Sequence, residues 1–96
     1  MYAVLVEVNI DDSMVETAKD YLNQTVAPRV RDRGVAKAGY WLAPADGHGL
    51  AILVLDTEEA ARGFAGQLQV GQPPDPGSPR GVTVRSVDVR EVFASL

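Results

Sequence analysis

Few residues in this chain can do chemistry. Cysteine is absent and the one histidine is His48, so thiol nucleophiles, disulfides, thiolate metal centres, histidine-cluster metal sites and charge-relay pairs are excluded together. His48 falls within Pro44-Ala45-Asp46-Gly47-His48-Gly49, a run of turn formers that reads as a hairpin connection with the imidazole at its surface. The remaining candidates are aromatic. Tyr40 and Trp41 are adjacent and must project to opposite faces of a strand, so that one meets the helices and the other the far side of the sheet. Tyr21 lies at the margin of a helical apolar stripe, where its hydroxyl can be offered to a cavity between helix and sheet. An indole beside a cavity is a platform for an aromatic ligand, and oxygen chemistry without a cofactor needs a pocket that orients an electron-rich substrate more than strong acids or bases.

These side chains are carried by elements whose periods are readable. Tyr2, Val4, Val6, Val8 and Ile10 alternate with Ala3, Leu5, Glu7 and Asn9, the mark of a first strand. Ser13 and Glu16 form an S-x-x-E box at the start of a helix with its stripe on Val15, Ala18, Leu22 and Val26. Pro28 either ends that helix near Ala27 or kinks it on the way to Arg33, and Gly34 stops it. A second strand is expected over Val35 to Ala43, with Ala36, Ala38, Tyr40 and Leu42 on one face. The third, Leu50 to Leu55, is apolar on both faces. A second helix starts at Asp56 or Thr57 and carries Ala60, Ala61, Phe64, Ala65 and Leu68. The prolines and glycines of Gly71 to Gly81 exclude regular structure and make a surface loop, a flexible cover for a pocket or a mere connection. A last strand over Val82 to Phe93 switches parity between Val84 and Val87, which predicts a bulge near Arg85 and Ser86. Glu7 on the first strand is expected to pair with Arg85 or Arg90 on the last.

The chain has 96 residues, of which 46% are hydrophobic and 23% charged, which fits one globular domain over residues 1–96. A net charge of −4 opposes nucleic acid as a partner, because that affinity comes from cations displacing phosphate counterions. Arg29, Arg31 and Arg33 gather at the end of the first helix, where they offset its dipole. The longest apolar stretch is far short of the roughly 20 residues that span a bilayer, and no basic-then-apolar leader opens the chain. The expectation is no membrane partner and a cytoplasmic location.

The order strand, helix, strand, strand, helix, strand predicts an α+β, ferredoxin-like βαββαβ fold, with a four-stranded antiparallel sheet in the order 4-1-3-2 and both helices on one face. Two strands are then apolar on a face no helix covers. A homodimer paired through its sheet faces would shield it.

Gly39-Tyr40-Trp41-Leu42 ahead of an Asp-Gly hairpin, Asp56-Thr57-Glu58-Glu59-Ala60-Ala61 and the closing Val87-Asp88-Val89-Arg90-Glu91-Val92 carry a resemblance. With the element order, they make nearly the whole chain similar to the dimeric α+β barrel superfamily, in particular its small antibiotic biosynthesis monooxygenase-like proteins. These traits are structural rather than catalytic. The superfamily includes cofactor-free oxygenases of polycyclic aromatics, haem degraders and proteins with no known reaction. Haem degraders carry an Asn on the first strand, which Asn9 matches, but also a Trp on the second helix and a His after it. Here that helix holds Phe64 and no His follows, which disfavours haem degradation.

The ligand-pocket candidates are therefore Asn9, Tyr21, Tyr40 and Trp41, with no catalytic residue assigned, no metal and no cofactor called for. Three functions stay open. They are a cofactor-independent monooxygenase-like enzyme on a small aromatic metabolite, a non-catalytic module binding a small hydrophobic or aromatic ligand, and a structural dimer.

Overall fold

Side-chain alternation sets the layering of the molecule, seen in a computed structural model that describes residues 1–96. Strand β1, Tyr2–Ile10, buries Val4, Val6 and Ile10 on one face and turns Glu7 and Asn9 to the other. Beside it run β3, His48–Leu55, and β4, Val82–Glu91, and beyond β3 lies β2, Ala36–Ala45. All neighbours are antiparallel, in the order β2-β3-β1-β4. This is the expected order read from the opposite edge, an α+β arrangement compatible with a ferredoxin-like fold.

The hairpin is tighter than the sequence suggests. Asp46 and Gly47 alone form the turn, with φ of 54° and 78°, the left-handed pair that matches strand twist. His48 is thus the first residue of β3 rather than a turn residue, paired with Ala45 and opposite Asn9. Pro44 joins β2 at a register shift between Leu42 and Ala45, on an edge strand where its missing N–H costs no ladder bond. A second shift between Ala36 and Ala38 sets Ala36 opposite Leu55, on the helix side, instead of with Tyr40. The bulge in β4 falls where parity predicts it: Glu7 pairs with Ser86 and Val8 with Val84, leaving Arg85 as the extra residue. The strand stops at Glu91, short of the expected Phe93, which is exposed.

The first helix runs through its proline. A 3-10 turn, Asp12–Met14, leads into α1, Val15–Tyr21, then a π-helical turn, Leu22–Val26, and α2, Ala27–Arg33. The Ser13 box does not form, because the 3-10 turn takes up the positions it needs and no side chain caps it. Ala27 N–H donates five residues back to Leu22 O, and this wider turn makes room for Pro28, which has no N–H to give and would clash with the turn before it in a regular helix. Gly34 ends the rod. Helix α3, Glu58–Ala65, starts at Thr57, whose Oγ1 accepts from Ala60 N–H at 3.1 Å, a cap worth about 1 kcal/mol. No helix is long and apolar enough to cross a membrane.

Both helical units cover one face. Val4, Val6, Leu53, Leu55, Ala61 and Val84 form the core, packed by Val30, Phe64 and Leu68, while Ile10, Ala18 and Val82 make a smaller cluster near the start of α1.

Candidate functional site

Between the α1–α2 rod and the sheet lies a cavity of about 520 Å³. Its floor is Val6, Val8, Trp41, Ala51 and Leu53, its roof Ala18, Leu22, Val26 and Val30, and Phe64 and Leu68 close the side toward α3. The floor owes its depth to short side chains, since Gly49 and Ala51 stand where β3 passes beneath the rod. A cavity of this size and apolar lining suits a small organic molecule.

One wall is polar. The Gly71 to Gly81 loop brings Pro74, Asp75, Ser78 and Pro79 to the cavity, and Asp75 is held there by the rod. Arg29 donates from Nη1 to Oδ1 and from Nη2 to Oδ2, each at 3.1 Å, and the Tyr21 hydroxyl donates to Oδ2. The π turn makes this possible. By absorbing one residue it brings Tyr21 and Arg29, eight positions apart, onto the face that positions seven apart share in an unbroken α-helix. Gly77 seats the loop closely, since a β-carbon there would stand 2.6 Å from the Tyr21 hydroxyl oxygen. The Arg29 hydrogen bonds, followed by that from Tyr21, hold the Asp75 carboxyl below its usual range. The Tyr21 phenol is pushed up, first by its bond to Asp75 and then by burial. Asp75 is accordingly a poor base, and the other titratable side chains that line the cavity are Glu16 and Lys19 on the α1 side.

The four sequence candidates divide between the two faces. Tyr21 and Trp41 line the cavity. Asn9 pairs with His48 and Thr83, and Tyr40 with Ile52, so both lie on the outer face, away from this cavity, with Tyr40 opposite to Trp41 as strand alternation requires. The parity of β1 decides it for Asn9, since buried Ile10 and Val4 take the helix side. On that outer face Arg85, thrown out by the bulge, stands with Nε 2.9 Å from Glu7 Oε1 and Nη1 against the His48 imidazole nitrogens. Glu7 thus has the partner the sequence suggested.

No family model, curated protein or solved structure matches this chain.

Arg29 and Asp75 escape sequence reasoning. Arg29 belongs to a cluster whose plain role at a helix end is sufficient, and Asp75 is 46 positions away from it. The one available signal is the placement of an acid amid Pro-Pro-Asp-Pro-Gly, where a stiff loop presents it at a fixed point.

Proposed function

We propose that this chain binds a small, largely apolar molecule with an aromatic body in the cavity between the rod and the sheet, and works as a homodimer closed on its outer sheet face. The observation that carries the reading is the cavity itself: about 520 Å³ of space in a chain of 96 residues. The space is partly open to solvent, and its apolar walls, which water would otherwise wet, favour an apolar occupant that displaces that water. Trp41 and Phe64 give that occupant flat surfaces to stack on. The dimer is supported by an outer face on which Leu5, Leu50, Ile52 and Val54 lie in cross-strand register beside the exposed Tyr40 and Leu42. A sheet-to-sheet dimer also agrees with the dimeric α+β barrel proteins that the sequence resembles.

Calorimetric titration with neutral bicyclic arenes, 2-naphthamide among them, tests the binding. Binding is expected in the native protein and should be lost in Ala51→Phe, whose ring fills the floor beside Trp41. If the arenes fail to bind at millimolar concentration, or Ala51→Phe binds them unchanged, the reading is wrong.

Oxygenation of the bound molecule without a cofactor is the second reading, favoured by Tyr21 and Trp41 meeting in one cavity. The weak basicity of Asp75 ranks it below simple binding. Oxygen uptake with an electron-rich naphthalenediol, absent in Ala51→Phe, would raise it above.

A further inference from the structure

Arg29 holds a carboxylate that little else keeps in place. From Pro73 to Arg80 the one backbone hydrogen bond runs inside the segment, from Ser78 N–H to Asp75 O at 2.9 Å, and the side-chain bonds of the segment to the rest of the protein are those of Asp75 to Arg29 and Tyr21. The loop is tied down at its start, where Gly71 N–H donates to Val84 O and Val84 N–H to Gln72 O, both at 2.8 Å. Beyond that point its polar tether is a single side chain.

What Asp75 occupies is a receptor for any carboxylate. A guanidinium donating two parallel N–H bonds to the two oxygens, with a hydroxyl donor added to one of them, is the planar recognition that arginine offers to carboxylates generally. The receptor sits at the edge of the apolar space. Tyr21 lines the large cavity, Arg29 lines a smaller one of about 360 Å³ that adjoins it, and Asp75 and Pro74 are among the residues that line both.

We propose that the Arg29–Tyr21 pair is the binding site for the carboxylate of an aromatic monocarboxylic acid whose ring system fills the cavity, and that Asp75 is an internal stand-in which this ligand displaces, freeing the loop. The proposal rests on the cavity being a ligand site and adds the ligand's class. Exchanging one carboxylate for another leaves the part-exposed Arg29 paired throughout, and the displaced Asp75 moves into water with its loop. A neutral ligand of the same shape gains the apolar contacts alone and leaves the loop shut.

The test is a calorimetric comparison of 2-naphthoate with 2-naphthamide, which match in shape and differ in charge, on the native protein, Asp75→Asn and Arg29→Gln. Removing the competing carboxylate in Asp75→Asn should tighten 2-naphthoate about tenfold while changing 2-naphthamide less than about threefold, and Arg29→Gln should abolish the preference for the acid. Amide hydrogen exchange at Gly77 and Ser78 should rise when 2-naphthoate saturates the native protein and stay unchanged with 2-naphthamide. Equal affinity of acid and amide in Asp75→Asn, or a preference for the acid that survives Arg29→Gln, overturns the proposal and leaves the cavity reading intact. If neither compound binds, both fall. Circular dichroism checks each fold, and should Arg29→Gln not fold, the Asp75→Asn comparison decides alone.

Discussion

Asp75 makes the seating of its loop against the rod sensitive to acid, and the sign follows from its surroundings. Its carboxyl is held below the usual range chiefly by the Arg29 hydrogen bonds and then by Tyr21, the groups that face it from the rod, while the remaining partner is the Gly77 backbone of its own loop. A carboxyl whose folded value is lowered binds fewer protons in the folded state than in the unfolded chain, so its contribution to stability is whole above the unfolded value of about 4 and is lost as pH falls through the lowered one. Tyr21 acts at the other end, because a raised phenol value favours the protonated donor and its contribution fades only as pH rises through that value. Urea unfolding of the native protein and Asp75→Asn, measured from neutral pH down to about 2, should therefore show a shallower acid-side fall for the variant. Parallel curves would mean that Asp75 is not paired in solution. Asp75 and Arg29 were illegible beforehand for a simple reason. Their meeting depends on where a loop comes to rest, and nothing local to either residue encodes a partner across the fold.

At the scale of elements, the π turn joins the helix's sequence problem to the site's geometry. Pro28 calls for a wider turn before it, and the added residue rotates α2 so that Arg29 shares a face with Tyr21. If this is why the turn is there, deleting Gln24 while replacing Pro28 with alanine should give an unbroken α-helix with the two positions now seven apart and still aligned. The expected result is a folded protein whose chemical shifts at Asp75 and Gly77 stay close to native. Loss of the loop contact, with those shifts moving to random-coil values, would count against this account. Elements with strict alternation or a clear stripe, such as β1, β3 and α3, were readable from sequence because burial on a face imposes the period directly. Pro44 in β2 was not, since an edge strand can admit a proline through a register shift that composition does not announce. The Ser13 box failed in the same way, since the right spacing formed a 3-10 turn rather than a cap.

For the whole molecule, the main asymmetry lies between the faces of the sheet. One is covered by the rod, α3 and the loop, whereas the other presents Leu5, Leu50, Ile52 and Val54 in one band, with Tyr40 61% and Leu42 48% exposed on the strand alongside. Ile52 sits on the central pair of strands opposite Leu5 and Tyr40, so a charge there would lie in the middle of any interface. Sedimentation should show the native protein as a dimer at micromolar concentration and Ile52→Lys as a folded monomer, because an unpaired ammonium cannot be buried between apolar sheets. A native protein that sediments as a monomer would remove the dimer from the proposal and leave the cavity untouched. That the second face would be oily was visible in the two-sided strands. A cavity between helix and sheet was an expectation for Tyr21, but its size and its Asp75 wall were not legible, since they depend on how far a helix stands from a sheet and where a loop rests, which side-chain type alone does not specify.

Where β1 begins and β4 ends, Val92 N–H donates to Met1 O at 2.9 Å, so the backbone enters and leaves the sheet at one spot. Bridged there by a short flexible link and opened instead between Asp46 and Gly47, the polypeptide would start at what is now its midpoint and still thread every strand beside its present neighbours.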